Sequence, residues 1–321
     1  MKASILLFFS LLSFLTSCNG QTTPFVSSDK SNPFIAIGDT VKELGNSIML
    51  VYQDTKNNYW FGSNIDGVYR FDGKTIIHFT TKDGLSHNRI DEIKEDQSGN
   101  IYFTTGKGIC QFNGQSFIPL NEKIGGKNDW KLSSKDMWFK SADYSGFVYR
   151  YDGKNLYKLH LPKTELGEDH IAKNPGEPTP YAVYSVYKDS KEHIWFGTAA
   201  LGVVRYNGKS FDWISEKDVA EIFNAPTEGA NGVRSIIEDK NGDFWFNTEY
   251  RYTVYDNKQN NETFYKRIKS IGNLDGKENS NLNEYLSITK DNDSNLWIAT
   301  YNAGVWKYDG TKIIHYPVQI N

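Results

Sequence analysis

Residues 293–311 read DSNLWIATYNAGVWKYDGT, a stretch that places two tryptophans, two tyrosines and a terminal Asp-Gly within nineteen residues. The same pattern occurs five more times along the chain, each time around one aromatic residue that we call the anchor. The six anchors are Trp60, Tyr102, Trp138, Trp195, Trp245 and Trp297. They lie 42, 36, 57, 50 and 52 residues apart, which is typical of β-propeller repeats. The aromatic density therefore indicates a repeated building unit.

Each unit reads as four short strands, A to D, separated by polar turns. The anchor belongs to strand B, and an Asp-Gly or Asn-Gly pair joins strands C and D, because both residues tolerate positive φ. These pairs are at 72–73, 113–114, 152–153, 207–208 and 309–310. Six residues before the anchor stands an aspartate that we expect to bond the backbone of the A–B turn. It is present in five units, as Asp54, Asp96, Asp189, Asp239 and Asp291, and the third unit has a shortened turn without it.

Four-stranded sheets of this kind must stack radially to bury their faces. The sequence therefore predicts an all-β protein, a six-bladed β-propeller of four-stranded antiparallel blades, in a domain at 47–321. A seven-bladed ring is the alternative, although a seventh blade needs some forty residues and the largest leftover insert, 161–180, has about half that number. Segment FIAI, at 34–37, is a candidate extra strand at the ring edge. Anchor aromatics are expected to fill the wedges between blades.

The first residues form a secretion signal at 1–17, in which Lys2 precedes an apolar stretch too short to be read as a membrane span. Its end, Leu15-Thr16-Ser17-Cys18, resembles the lipobox of bacterial lipoproteins, so lipidation of Cys18 is expected, and residues 18–46 become a lipidated tether. An ordinary signal peptide that contains a cysteine is the alternative. Cys110, in KGICQF, is predicted to be a small core residue.

The repeats resemble the two-component regulator propeller family, in stretches such as KDSKEHIWFGTAALGVVRYNG (188–208) and EDKNGDFWFNTEYRYTVYDN (238–257), and also in DGLSHNRI (83–90). This resemblance implies a propeller over some 270 of the 321 residues. In that family the propeller usually forms the periplasmic sensor of a membrane histidine kinase, often in carbohydrate uptake systems. Here we expect the stand-alone lipoprotein form without the kinase.

Antiparallel order puts the D–A and B–C connections on one face of the ring and the tight A–B and C–D turns on the other. The first face carries the long insertions at 161–180, 215–232 and 267–284, and variable insertions usually mark a binding side. Asn46, Asn88, Asn231 and Asn283 recur where strand A begins, with Tyr181 in the fourth unit. Each Asn either ties its own loop to the backbone or contributes to a polar ring around the channel. The candidate ligand-binding residues are Asn88, His87, Arg89, Tyr181, Asn231, Arg234, Asn283, Tyr285, Tyr250 and Tyr301.

The expected function is non-catalytic binding of a glycan or protein by a propeller anchored in the bacterial envelope, at the outer membrane, on its periplasmic or outer side. Carbohydrate sensing or uptake is one expected setting. An envelope enzyme acting on polysaccharide or a lactone, and a structural assembly platform, are the alternatives. A net charge of −3 without a basic block argues against nucleic acid. Histidines and carboxylates show no metal-ligand spacing, so neither a metal nor a cofactor is expected.

Overall fold

A computed structural model describes residues 38–45, 47–143, 145–214, 232–246, 250–257, 262–270, 285–300 and 304–316. The described residues form six sheets, numbered here in chain order. They also form one helix, α1 (Glu165–Lys173), and two short 3-10 turns at Thr81–Asp83 and Lys127–Asp129.

Every sheet has at least four strands, and their bounds are as follows. Sheet 1 contains β1 (Asp39–Val41), β2 (Ile48–Gln53), β3 (Tyr59–Ser63), β4 (Val68–Phe71) and β5 (Ile76–Phe79). Sheet 2 contains β6 (Ile90–Glu95), β7 (Ile101–Thr105), β8 (Gly108–Phe112) and β9 (Phe117–Pro119). Sheet 3 contains β10 (Glu122–Ile124), β11 (Met137–Lys140), β12 (Phe147–Tyr151) and β13 (Leu156–His160). Sheet 4 contains β14 (Val183–Lys188), β15 (Ile194–Thr198), β16 (Val203–Tyr206) and β17 (Phe211–Ile214). Sheet 5 contains β18 (Ile236–Glu238), β19 (Asp243–Phe246), β20 (Tyr250–Asn257) and β21 (Glu262–Ser270). Sheet 6 contains β22 (Tyr285–Lys290), β23 (Leu296–Thr300), β24 (Val305–Tyr308) and β25 (Ile313–Tyr316).

Five of the sheets follow the predicted blade, in which strands A, B, C and D are antiparallel neighbours in chain order. In sheet 4, for example, β14 pairs with β15, β15 with β16, and β16 with β17, all antiparallel. Sheet 1 has the same four strands and a fifth, β1, which pairs antiparallel with β5 at its outer edge. The chain is therefore an all-β propeller with four-stranded antiparallel blades.

Sheet 3 departs from the prediction of four antiparallel strands, which is wrong for this unit. Strands β11 to β13 are antiparallel, but the fourth strand, β10, pairs parallel with β13 at the outer edge. Residues 127–136, which precede the anchor strand, contain a 3-10 turn where strand A was expected. This segment, KNDWKLSSKD, has no alternation of apolar residues that would specify an inner strand.

The first and last sheets lie next to each other at the inner side of the propeller. The inner strand β2 contacts both β6 and β22. In addition, the Asn292 amide donates to the Asp54 carbonyl and to Asn57 Oδ1, each at 3.1 Å. Segment 34–37 lies outside the described residues, whereas β1, which follows it, lies at the outer edge of sheet 1. The described residues form no seventh sheet.

Aromatic and aliphatic side chains fill the wedges between neighbouring sheets, as predicted. Trp195 and Trp245 have no exposed surface, and the ring of Trp195 lies 4.5 Å from that of Phe244 in the next sheet. Cys110 is buried in the cluster between sheets 1 and 2, and burial raises the pKa of its thiol. Trp297 is half-buried and stacks on Tyr316 at 5.6 Å.

The aspartate of each A–B turn bonds the turn backbone, as predicted, and also bonds its anchor. Asp189 Oδ1 accepts the N–H groups of Lys191 and His193 at 2.9 and 2.8 Å, while Oδ2 accepts the Trp195 indole N–H at 2.8 Å. Equivalent bonds to the anchor ring occur in the four other units that have the aspartate. The third unit lacks this aspartate, and Trp138 Nε1 is buried without a partner among the described residues.

Hydrogen bonds at these turns also favour the ionised carboxylates. Burial alone would raise the pKa of Asp96, Asp189 and Asp291, but bonds from the residue four places on and from the anchor outweigh it and lower the pKa of all three. In the C–D turns, both residues of the pair tolerate positive φ, but only one of them adopts it. It is the glycine, with φ of 93° at Gly73, while Asp72 accepts two backbone N–H groups.

Candidate binding face

Strand direction defines two faces of the propeller. The insertion at 161–180 lies on the face of the D–A and B–C connections, as expected. Helix α1 occupies the D–A connection between β13 and β14. Its first turn is capped by Thr164, whose Oγ1 accepts the Gly167 N–H at 3.1 Å. The two other predicted insertions, 215–232 and 267–284, lie outside the described residues except for residue 232 and for 267–270, which belong to β21.

Two of the predicted contact residues, Asn88 and Tyr181, support loops on this face. Asn88 Oδ1 accepts the Thr81 N–H at 2.9 Å, which is the loop-tying role considered for these asparagines. The Tyr181 side chain is buried beside α1, and its hydroxyl accepts the Thr164 N–H at 2.8 Å. Both side chains position the D–A connections from within.

For five of the other predicted residues, the structure does not describe the side chain. Tyr285 and Tyr250 begin β22 and β20, and only their backbone is described. The remaining three, Asn231, Asn283 and Tyr301, lie outside the described residues, as does the lipidation candidate Cys18.

The inner strands carry a β-bulge close to this face. Register shifts in sheets 1, 2 and 4 leave Met49, Asp91 and Tyr184 as the extra residues. A bulge turns the side chain of its extra residue out of the regular alternation and often lies beside a functional site. The predicted residue Arg234, which precedes β18, places its guanidinium 5.1 Å from the Tyr184 ring centre. Tyr184 and Arg234 thus meet between sheets 4 and 5.

His87 and Arg89 come together at the junction of sheets 2 and 3. His87 Nδ1 accepts the Arg89 N–H at 3.0 Å, and its ring lies so close to Gly106 that a Cβ there would be 2.6 Å from Nδ1. The Arg89 guanidinium donates to Asp91 Oδ1 at 2.7 and 3.1 Å and to the Ala142 carbonyl at 2.9 Å. Arg89 therefore connects the D–A connection before sheet 2 to the B–C loop of sheet 3.

An open cleft of about 180 Å³ lies beside this guanidinium. Its walls come from the B–C loops of sheets 2 and 3, so it opens on the predicted binding face. The lining residues are Arg89, Thr104, Gly106, Gly108, Ile109, Ser141, Ala142, Asp143 and Tyr149.

Hydrogen bonds position the polar groups of the cleft and favour one protonation state of each. The hydroxyls of Ser141 and Ser145 both donate to Asp143 Oδ1. Burial alone would raise the pKa of Asp143, but these hydrogen bonds outweigh it and lower the pKa, so the carboxylate is ionised at neutral pH. Tyr149 donates to Glu122 Oε2 at 2.7 Å, and burial together with that carboxylate raises the pKa of the phenol. The cleft thus presents one cation, one carboxylate and a neutral phenol.

Sheet 3 has no strand A, and two charged side chains of β6 bond the strand edge that strand A would otherwise cover. Glu92 Oε2 accepts the Lys140 N–H at 3.2 Å, and Lys94 Nζ donates to the Trp138 carbonyl at 2.5 Å. These are backbone groups of β11, which a strand A would otherwise bond. Glu92 and Lys94 are also paired with each other at 3.0 Å. Unpaired strand edges are costly when buried, so this pair supports the wall of the cleft.

Sequence patterns missed Asp143, Tyr149 and the Glu92–Lys94 pair. One signal was available: IDEIKE, residues 90–95, carries Glu92 and Lys94 where the inner strand of sheet 4 has Ser185 and Tyr187. Ser141, Asp143 and Tyr149 belong to a different repeat from Arg89, and only stacking of the sheets brings them together.

Antiparallel four-stranded blades and aspartate-capped turns define this chain as a repeat propeller. Residues 227–250 and 279–302 match the family model described as two component regulator propeller. This match confirms the predicted resemblance to that family in these two stretches.

Known proteins with similar sequence or structure agree with this fold. Histidine kinase P4 of Formosa agariphila is 27% identical over 174 residues, which is 51% of this chain but only 12% of that protein. An extracellular domain from B. thetaiotaomicron, described as part of a one component system, superposes with a TM-score of 0.51 at 20% identity over 88% of this chain and 35% of its own. Virginiamycin B lyase from Staphylococcus aureus superposes with a TM-score of 0.56 at 13% identity over 88% of both chains. At these identities, the likeness to both structures shows the propeller fold alone.

Among the described residues, no helix has the length and apolar character needed to cross a bilayer. Within the same residues, no group of three His, Cys, Asp or Glu side chains has a geometry that could hold a metal ion.

Proposed function

We propose that this chain is a non-catalytic β-propeller of the bacterial envelope that binds a ligand or partner protein on its D–A and B–C face. The observation that carries this proposal is the cleft between sheets 2 and 3. It is open on that face, lies beside the predicted contact residue Arg89, and has polar side chains fixed by hydrogen bonds. Concave sites with a few positioned polar groups are typical of ligand binding. In this proposal sheet 3 is the sixth blade, and contact of β22 with β2 closes the ring.

The envelope location rests on the signal at 1–17 and the lipobox before Cys18. Lipidated Cys18 and the tether up to residue 46 would hold the domain 47–321 at the outer membrane. The likeness to the extracellular domain of a one component system supports an envelope role. The test is cell fractionation of the full-length protein. Wild type should be found with membranes and the Cys18→Ala variant in the soluble fraction, whereas a Cys18→Ala variant that stays with membranes contradicts the anchor.

The binding role is tested by a glycan array probed with purified full-length protein. Carbohydrate sensing or uptake predicts retention of a restricted set of glycans. Retention of none would contradict the glycan form of the proposal, and it would favour a protein partner or an assembly platform. Direct contact is proposed for His87, Arg89 and Arg234 and for the candidates whose side chains are not described. Asn88 and Tyr181 would act by positioning their loops.

An envelope enzyme is the second candidate, because virginiamycin B lyase shares the propeller fold over 88% of both chains. Any glycan retained on the array should be incubated with the protein and its products separated by mass spectrometry. Unchanged glycan is expected for the binding role, and shortened or unsaturated products would establish the enzyme instead.

A further inference from the structure

We infer that the propeller ring opens between sheets 6 and 1, and that the chain segment 38–45 is a strap that holds this junction closed. We call the space between these two sheets the seam. The inference goes beyond the proposed binding function and does not depend on the ligand, because it concerns how the ring itself is held together.

The seam is packed less tightly than the other junctions of the ring. Among the described residues, buried clusters join each pair of consecutive sheets from 1 to 6, and no such cluster joins sheets 6 and 1. The five other anchors are at most 3% exposed, whereas Trp297, which faces the seam, is only half-buried. The residue before an anchor faces the preceding sheet, and its exposure is 1% at Leu296 but 40% at Tyr59. Because protein interiors are normally close-packed, this junction lacks contacts that the others have.

Both walls of the seam carry apolar side chains that are open to water. Side chains alternate between the two faces of a strand, so the neighbours of residues that pack on sheet 5 or sheet 2 face the seam. On sheet 6 these are Val305, Ile314 and Tyr316, all of them exposed. On sheet 1 they include Val51 and Tyr59, which are exposed as well. Exposed apolar patches of this kind mark surfaces that are not fixed by packing.

The hydrogen bond between neighbouring A–B turns is also weaker at the seam. Between sheets 4 and 5, the Ser190 N–H and hydroxyl donate to the Glu238 carboxylate at 2.7 and 2.8 Å, and sheets 1 and 2 are joined by an equivalent pair. At the seam the same positions are Asn292 and Gln53, and the Asn292 N–H donates to Gln53 Oε1 at 3.4 Å. The Asn292 amide adds two bonds to the next turn, both to neutral acceptors at 3.1 Å. Bonds to neutral acceptors are weaker than bonds to a carboxylate, so water competes with them more easily.

The strap lies on the sheet 1 wall of the seam. Strand β1 pairs with β5 at the outer edge, and the chain then crosses the sheet to begin β2 at the inner edge. On this path Gly45 lies so close to the sheet that a Cβ would be 2.7 Å from the Tyr69 hydroxyl and 2.6 Å from the Asp66 carboxylate. Tyr69 faces the seam, because its neighbours in β4 pack toward sheet 2. At the other end of the strap, the Gly38 N–H donates to Asp83 Oδ1 at 3.0 Å.

These contacts make the strap the part of the chain that controls the seam. Local opening occurs where few buried apolar contacts and many exposed hydrogen bonds hold a structure, and the seam has both properties. Backbone of the strap covers the wall at Tyr69. Since the strap follows the predicted tether in sequence, a displacement of the tether would act first on β1 and then on the seam.

Hydrogen–deuterium exchange of the full-length protein, followed by mass spectrometry, tests the inference. Amides of the seam strands β2, β3, β22 and β23 should exchange about ten times faster than those of β14 and β15, although all are strands A and B of their sheets. Gly45→Val should speed exchange in the seam strands several-fold further, because the new side chain displaces the strap from Tyr69. Gly126→Val is the matched control and should leave this exchange unchanged, since Gly126 has open space around it and φ of −113°.

Equal exchange in the seam strands and in β14 and β15 would overturn the inference. A Gly45→Val variant that exchanges as Gly126→Val does would also overturn it. Thermal melting checks that both variants fold. If Gly45→Val does not fold, Gln53→Glu tests the seam in the opposite direction, because it places a carboxylate where sheet 5 has Glu238. Gln53→Glu should slow exchange in the seam strands several-fold, and unchanged or faster exchange would contradict the inference.

Discussion

Removal of the aspartate from one A–B turn tests how the blades are held together. In Asp189→Ala three donors lose their acceptor: the backbone N–H groups of Lys191 and His193 and the indole N–H of Trp195. Trp195 has no exposed surface, so its N–H cannot turn to water. The two backbone groups lie in a turn at the protein surface and can regain water.

The expected loss in the free energy of unfolding follows from how deeply each of these donors is buried. A buried donor left unsatisfied costs about 1 to 3 kcal/mol, and the two backbone bonds add about 1 kcal/mol in total after hydration. We therefore expect Asp189→Ala to lower the free energy of unfolding by about 3 kcal/mol. Asp72→Ala is the control, because Asp72 accepts only the backbone N–H groups of Lys74 and Thr75 in an exposed turn. Its loss should be below about 1 kcal/mol.

Urea denaturation followed by tryptophan fluorescence measures both variants against wild type. The difference between the two losses is the informative quantity, since both variants lose a turn aspartate. Equal losses in Asp189→Ala and Asp72→Ala would show that the bond to the anchor contributes nothing, and the reasoning about the blade core would be refuted.

Further predictions concern acid, backbone strain and packing. Because hydrogen bonds lower the pKa of three turn aspartates, their contribution to stability is complete above the ordinary aspartate pKa of about 4 and is lost as pH falls through the lower folded values, so urea midpoints should drop at acid pH. Ser294→Gly should raise stability by about 0.5 to 1 kcal/mol in the same assay, because Ser294 has φ of 63°, and a lower midpoint would contradict this. Gly197→Ala should cost about 3 kcal/mol, because its Cβ would lie 2.2 Å from the Val233 carbonyl of the next blade; an unchanged thermal midpoint would show that the sheets can shift. Lys94→Met leaves Glu92 without its cation and should cost about 3 kcal/mol, more than Lys94→Met combined with Glu92→Gln.

Repeats made the blades predictable, because the same local chemistry recurs in each. An aspartate six residues before an aromatic anchor forms a hydrogen bond that depends only on nearby residues, and five units have it. Sheet 3 was not predicted, because its inner edge is completed by Glu92 and Lys94 from the preceding blade. Sequence patterns within one unit do not show that side chains of a neighbouring unit take the place of its strand A.

The cleft was predictable only in part, for a similar reason. Strand order indicated the face, and Arg89 was among the candidates. Asp143, however, belongs to the next repeat and stands on a B–C loop whose sequence, SADYSG, has no recognisable motif. Stacking of two blades brings the two residues to one cleft, and that contact has no signature in residue spacing.

Glycan-array binding by two variants of the full-length protein tests the central claim, that the D–A and B–C face binds the ligand. Arg89→Ala removes the side chain beside the cleft, and Asp152→Ala changes a turn on the opposite face. The account predicts that wild type and Asp152→Ala retain the same glycans and that Arg89→Ala loses them. Equal retention by both variants, or loss only in Asp152→Ala, would contradict it.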